Sequence, residues 1–301
     1  MAVQSHYFSV GSIVSWAEPG VGAVATQSLV EPAYGPRGLG QLRRGASAPD
    51  ALRRLLGDDE QSEVRQVAIV DKHGRVAVHT GPRCIAEAGH RVADGVSAQA
   101  NMMERSTVPD AMIEAYRGAG GELGGRLLAA LEAAEREGGD IRGRQSAALV
   151  VVAPRASGAP MQDRPVDLRV DDHPDPVAEL SRLVDVHRSY LHVEAGDELA
   201  GAGDLEGALA EYEAAHALQP DNPELVFWHG VALAANGREA EGRELLERAY
   251  AEREGWRELL RRLPAAGLFP DDPALLDRMT AGGSRPRPPV EDWHRGAPPA
   301  G

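Results

Sequence analysis

At 301 residues, with 43% hydrophobic and 26% charged residues, the chain has the composition of a globular protein with one large domain or two ordinary ones. Its only cysteine, Cys84, excludes an intramolecular disulfide and a cysteine-based zinc cluster, and its only lysine, Lys72, leaves almost no candidate for Schiff-base chemistry. The net charge of −14 is concentrated in residues 191–280, which contain 19 acidic residues and 8 arginines. A surface with this excess of negative charge repels nucleic-acid phosphates. No apolar run approaches the roughly 18 residues of a membrane span and no signal-peptide pattern opens the chain, so we expect a cytoplasmic protein without nucleic-acid or membrane partners.

Residues 1–175 alternate predicted strands and helices. Apolar strands on both sides of the turn at residues 71–74 predict a β-hairpin. Two predicted strands end at residues 4–6 and 99–101, and the other predicted strands cover residues 21–26, 65–70, 75–80, 145–152 and 166–170. The predicted helices cover residues 38–44, 49–56, 109–116 and 122–137. Hairpins mixed with helix pairs predict a layered α+β domain instead of a doubly wound parallel sheet.

After residue 174 the pattern is helical only and contains an internal repeat. A 34-residue unit that begins at Ser189 contains small and aromatic residues where two packed helices need a close approach, namely Gly196, Ala208, Tyr212, Ala215 and Pro220. A second unit has Gly230, Leu246 and Ala249 at three of the same positions. These units resemble tetratricopeptide repeats, and residues 256–262 and 273–279 predict a partial third hairpin.

Three polar triplets follow predicted strands, at the points where a layered fold presents side chains to a cleft. They are Gln4-Ser5-His6, Thr26-Gln27-Ser28 and Gln99-Ala100-Asn101. Each triplet alone is also compatible with ordinary turn chemistry. Their convergence at one edge of a sheet would indicate a site.

The stretch "GGDIRGRQS", residues 138–146, places Asp140, Arg142 and Arg144 at a helix-to-strand junction. An arginine pair there could bind a carboxylate bidentately. The alternative is a structural ion-pair network with Asp140, and the sequence leaves both open.

Two other groups suggest chemistry more weakly. Asp171, Asp172 and His173 are metal-ligand residue types, but no second element offers matching ligands, and a strand end followed by a helix start explains them as well. Cys84 with His90 could form a thiol nucleophile, although a lone cysteine is more often a small buried hydrophobe. We expect neither a metal nor a cofactor.

Five motifs together resemble one known bacterial family. They are "GVGAVATQS" (20–28), "YGPRGL" (34–39), "RQVAIVD" (65–71), "GDIRGRQSAALVVV" (139–152) and "VDLRVDDHPDPVAEL" (166–180). In collinear order they are similar to the family called domain of unknown function 1028, over roughly residues 2–190. The chain departs from the family at Ala100, where members tend to have glycine, and carries the helical repeat in place of a peptidoglycan-binding-like extension.

This family looks like a branch of the N-terminal-nucleophile hydrolases, so the resemblance implies a four-layer α-β-β-α sandwich. It also implies that a Thr, Ser or Cys at the start of the chain attacks an amide while its own α-amino group acts as the base. An α-amino group suits this role because its pKa is near 7.7–8.0. Backbone N–H groups would then stabilise the oxyanion.

The resemblance also implies roles for individual residues. Gln4, Ser5 and His6 are expected to flank the nucleophile. The backbone at Gln27 and Ser28 is expected to donate to the oxyanion, and Asn101 to approach from the opposite sheet. The candidates for substrate binding are Gln4, Tyr34, Arg142 and Arg144.

Family members begin with an additional strand headed by a hydroxyl residue, whereas Met1 here stands inside the second strand. Two explanations stay open: translation starts upstream, at a residue that supplies the nucleophile, or the protein is catalytically inactive.

We therefore predict an N-terminal-nucleophile-like domain over residues 1–188, helical repeats over 189–280 and a disordered tail over 281–301. The expected function is amidohydrolysis of a small amide or γ-linked peptide, with a peptide or protein partner at the repeats and homo-oligomer formation left open. The alternative is a non-catalytic scaffold that works through its helical repeats.

Overall fold

The structure, a computed structural model, describes residues 1–282. The chain divides into two compact units, Met1–Asp185 and Val186–Gly301. The first unit mixes strands and helices, and the described part of the second unit is helical. The predicted disordered tail lies outside the described residues from position 283 onward.

The first unit contains three antiparallel sheets. Its strands are β1 (Ala2–Ser5), β2 (Ser15–Glu18), β3 (Gly22–Ser28), β4 (Arg65–Asp71), β5 (Val76–Thr80), β6 (Gly89–Ala93), β7 (Val96–Ala100), β8 (Ser146–Val151) and β9 (Val166–Val170). The strand orders are β2-β3-β4-β5, β1-β8-β9 and β6-β7. The predicted hairpin at residues 71–74 is confirmed as the β4–β5 connection. Strands β2 and β6 were not predicted from the sequence.

The helices of the first unit are α1 (Gly11–Val14), α2 (Tyr34–Arg43), α3 (Ala48–Gly57), α4 (Val108–Gly118), α5 (Leu123–Arg136) and α6 (Pro160–Asp163), followed by α7 (Pro176–Gly201). The predicted helices correspond to α2, α3, α4 and α5, whereas the short helices α1 and α6 were not predicted from the sequence. Helix α3 shows why the prediction succeeds: the Ser47 side chain caps it by accepting from the Asp50 N–H, and proline occupies its first turn. Local signals of this kind are readable without the fold.

The β2–β5 sheet separates two sets of buried side chains because side chains alternate along a strand. Val24 of β3 and Val67 and Ile69 of β4 pack with α2 and α3. Their neighbours Ala25 and Ala68 face the other side, with residues of α1. That second face, lined by small residues, leaves room for a cavity.

The β1-β8-β9 sheet follows the same alternation. Ala147 and Leu149 of β8 pack with leucines of α5 and with Val177 and Leu180 of α7. Ala148 points the opposite way, against Gly11 of α1, where a Cβ added to the glycine would lie 2.4 Å from the Ala148 Cβ. Only glycine permits this approach of α1 to the sheet.

The second unit stacks α8 (Leu205–Leu218), α9 (Pro223–Ala235), α10 (Glu239–Glu252), α11 (Gly255–Arg262) and α12 (Pro273–Thr280). The repeat positions pack as predicted. In the first repeat Gly196 lies against the ring of Tyr212, and in the second repeat Gly230 lies against Leu246. No helix within residues 1–282 is both long enough and apolar enough to cross a membrane.

Candidate ligand-binding site

A cavity of about 360 Å³ lies in the first unit. Apolar side chains of α1, α4, α5 and the strands form most of its wall, and polar side chains are concentrated at the strand ends. All three polar triplets contribute to it, through Gln4, Ser5, Gln27, Ser28, Gln99 and Asn101. The sequence therefore identified side chains that the fold brings together.

Gln66 joins two of these triplets from a position that sequence reasoning missed. Its side chain is fully buried on β4, opposite Gln27 of β3. The Gln66 Oε1 atom accepts hydrogen bonds from Gln27 Nε2 at 2.8 Å and from Asn101 Nδ2 at 3.0 Å. The amide nitrogens of Gln27 and Asn101 are therefore both hydrogen-bonded to Gln66.

The side-chain nitrogen of Gln66 is also hydrogen-bonded within the protein. Its Nε2 atom lies 2.9 Å from the Ala100 carbonyl oxygen, 3.1 Å from that of Gly89 and 3.0 Å from the Thr80 hydroxyl. Thr80 in turn pairs with His90, whose pKa is lowered by burial. The only sequence signal for Gln66 was a polar residue inside the apolar strand "RQVAIVD".

Asp140 and Arg142 form an ion pair at the β1 side of the cavity. The Arg142 guanidinium donates to both carboxylate oxygens, at 3.0 and 2.7 Å, and the Arg142 backbone N–H donates at 2.9 Å. Burial alone would raise the pKa of Asp140, but the hydrogen bonds from Arg142 outweigh it and the pKa is lowered. The pair uses the Nε hydrogen and one Nη2 hydrogen of Arg142, so a ligand of Arg142 would bind at the remaining Nη hydrogens.

Arg142 also orients Ser5. Its Nη2 atom donates to the Ser5 hydroxyl at 3.3 Å, while β1 pairs Ser5 with Ser146 of β8. The Arg142 Nη1 atom has no hydrogen-bond partner within residues 1–282 and is available to a ligand.

Two buried polar atoms that belong to residues of the cavity wall have no hydrogen-bond partner within residues 1–282. They are Gln4 Nε2 and Ser28 Oγ. Ser28 also has a left-handed backbone, with φ of 69°, as does Met102 on the same wall, with φ of 57°. Such conformations are costly for residues other than glycine and cluster at binding sites.

Three predicted site residues lie elsewhere. His6 is exposed, and its Nδ1 atom is 3.4 Å from the Arg144 carbonyl oxygen. Arg144 forms ion pairs with Glu135 and Asp175 and is not on the cavity wall. Tyr34 is fully buried in the core between α2 and the β2–β5 sheet, where its hydroxyl donates to Asp59 at 2.8 Å. Arg144 and Tyr34 are thus engaged in contacts within the protein, away from this cavity.

Met1 also lines the cavity, and its amino group lies beside β8. The amino group donates a hydrogen bond to the Val150 carbonyl oxygen at 2.6 Å, and burial lowers its pKa to about 5.

The metal-type residues of the sequence are engaged in local contacts. Asp171 accepts from Ser9, Asp172 accepts from Gln145, and His173 accepts from the Asp175 N–H. Within residues 1–282 no three His, Cys, Asp or Glu side chains are grouped so that they could hold a metal ion. Cys84 donates its thiol hydrogen to the Arg65 carbonyl oxygen at 3.3 Å.

Comparison with known proteins agrees with both sequence resemblances. A sequence model of a family of unknown function, DUF1028, matches residues 1–180, and a tetratricopeptide-repeat model matches residues 196–237. Among solved structures, the DUF1028 protein SPO2555 from Silicibacter pomeroyi is 32% identical, with 61% of this chain and 77% of that chain covered and a TM-score of 0.55. No curated protein matches the chain. The chain therefore belongs to the DUF1028 family.

Proposed function

We propose that the N-terminal domain hydrolyses a small amide or γ-linked peptide that binds in the cavity. The observation that carries this proposal is the pair of partnerless atoms on the wall, Gln4 Nε2 and Ser28 Oγ. A buried polar group without a partner costs about 1–3 kcal/mol, and a ligand with oxygen and N–H groups would remove that cost.

The proposed chemistry is that of the N-terminal-nucleophile hydrolases, which share a four-layer α-β-β-α sandwich. Three separate buried clusters support that architecture. One joins α2 and α3 to the β2–β5 sheet, one joins α1 to the other face of β3 and β4, and one joins the β1-β8-β9 sheet to α5 and α7.

Arg142 is proposed to bind a substrate carbonyl oxygen through its free Nη1 atom. Arg144 provides a matched control, because it belongs to the same motif but lies outside the cavity. We expect Arg142→Gln to weaken substrate binding about tenfold, the loss of one charge-assisted hydrogen bond, and Arg144→Gln to leave it within about twofold. Equal effects of the two substitutions would contradict this assignment.

The test of catalysis is a hydrolysis screen with small primary amides and γ-glutamyl peptides, read as release of the carboxylic acid by proton NMR. Met1 carries no hydroxyl or thiol, so the screen compares the chain from Met1 with a form extended in frame upstream. We expect hydrolysis by the extended form. Hydrolysis by the Met1 form would refute the N-terminal nucleophile, and Ser5→Ala would then test Ser5 as the alternative nucleophile.

A scaffold role is the second candidate, and the tetratricopeptide-repeat match at residues 196–237 favours it. Such repeats commonly present a concave protein-binding surface. The same screen separates the two candidates, because the absence of hydrolysis in both forms would contradict the amidohydrolase and favour the scaffold.

A further inference from the structure

We propose that Gln66 is a positioning residue that turns the carboxamide oxygens of Gln27 and Asn101 toward the cavity, so that the site selects ligands carrying an amide N–H. This inference rests on the proposed small-amide site and names the group that the site recognises. Gln66 itself need not touch the ligand.

The orientation of Gln66 follows from its surroundings. Two of the three groups around its Nε2 atom are the backbone carbonyls of Gly89 and Ala100, which can only accept hydrogen bonds. The nitrogen must therefore point at them, and Oε1 must point the other way. A rotated Gln66 would place its oxygen against two carbonyl oxygens.

That orientation fixes the two neighbouring carboxamides in turn. Since Gln66 Oε1 can only accept, Gln27 and Asn101 must present their nitrogens to it. Gln27 Nε2 also lies 3.5 Å from the Gln99 carbonyl oxygen, which occupies its second hydrogen. Both nitrogens are thereby held by the protein.

The atoms left over are the two side-chain oxygens and the second N–H of Asn101. Gln27 and Asn101 both line the cavity, and neither side-chain oxygen has a hydrogen-bond partner within residues 1–282. Two hydrogen-bond acceptors from residues that line one cavity favour a ligand N–H and disfavour a carboxylate, whose oxygens would face them without a proton. A primary amide supplies two such hydrogens.

Three probes that share the hexanoyl chain and differ in the group on its carbonyl carbon test the selectivity: hexanamide, N,N-dimethylhexanamide and hexanoate. Their affinities for the full chain are measured by ligand-observed NMR titration. We expect hexanamide to bind about tenfold more tightly than the other two, because they leave the two acceptor oxygens unpaired.

Variants test whether Gln66 creates the preference. Gln66→Leu removes the acceptor that holds both nitrogens, and Asn101→Ala removes one of the two oxygens. Both variants should reduce the hexanamide preference to about threefold or less. Gln41→Leu makes the same change at a buried glutamine on α2, outside the cavity, and should keep the preference. The ratio of affinities is the readout, because a merely destabilised fold would weaken all three probes together.

The inference is overturned if the wild-type chain binds dimethylhexanamide or hexanoate as tightly as hexanamide, or binds no probe. It is also overturned if Asn101→Ala and a folded Gln66→Leu variant both keep the preference. Failure of the proposed function looks different: hexanamide is then still preferred, but no amide is hydrolysed by either form of the chain.

Discussion

Asp140 is a buried charge whose contribution to stability depends on its partner. Only 3% of its side chain is exposed, while 39% of the Arg142 side chain is exposed. The carboxylate therefore bears most of the desolvation, and the hydrogen bonds from Arg142 offset it. The pair holds the junction before β8 in the conformation that places Arg142 beside Ser5.

We expect Asp140→Asn to lower the free energy of unfolding by about 1–3 kcal/mol at pH 7, because it leaves the arginine without its anion. The folded-state pKa of Asp140 lies below the ordinary value near 3.9, so its stabilisation is present above pH 4 and disappears as pH falls through the folded pKa. Urea unfolding curves of wild type and variant should therefore converge in acid.

The matched control is Asp58→Asn, since Asp58 pairs with Arg37 at the surface, with 62% of its side chain exposed. This change should alter stability by less than about 1 kcal/mol. A difference between wild type and Asp140→Asn that persists unchanged at low pH would contradict the electrostatic explanation.

At the scale of elements, glycines set the distances between packed helices of the second unit. Gly242 of α10 lies against α9, where an added Cβ would be 2.7 Å from the Gly230 carbonyl oxygen and from the Ala234 nitrogen. Both atoms belong to backbone and cannot move aside alone. Side chains such as Phe227 and Leu246 then fill the space around this close contact.

We expect Gly242→Ala to destabilise the helical unit by about 1–3 kcal/mol, because α9 and α10 must separate to admit the methyl group. Denaturation followed by tryptophan fluorescence measures it, since Trp228 and Trp256 pack against the same core. Gly201→Ala, at a helical position with nothing within 4 Å, should be neutral or stabilising by up to about 1 kcal/mol. Equal effects of the two substitutions would rule out the close-packing explanation.

The elements were also the level at which prediction from sequence succeeded best. The hairpin around residues 71–74 and the helical repeat follow from local periods and turn residues, which each segment carries in itself. Strands β2 and β6 were missed because they are short and only partly buried, so their patterns are weak.

At the scale of the whole molecule, the core of the first unit depends on the start of α7. Val177, Leu180 and Val184 pack against residues of α5 and β8. A chain ended before α7 would expose that surface to water. The predicted boundary at residue 188 keeps all three side chains with the domain.

We expect residues 1–188 to fold and to bind hexanamide, and residues 1–174 to fail to fold. Each of the three lost side chains contributes about 1.5–3 kcal/mol when buried, which together removes much of the roughly 5–15 kcal/mol that stabilises a domain. Circular dichroism melting curves and gel filtration of the two fragments provide the measurement. A cooperative transition of equal midpoint in the shorter fragment would contradict the prediction.

The sequence by itself determined the classes of segment, the repeat and the three polar strand ends, because periodicity and turn chemistry are local properties. Only the tertiary structure decided which polar side chains form a site. Gln66, Gln27 and Asn101 are brought together by strand register and by hydrogen bonds between residues 35 and 39 positions apart in the chain. The same long-range packing placed His6, Tyr34 and Arg144 away from the cavity, since the contacts that position a side chain come from segments that no local pattern can specify.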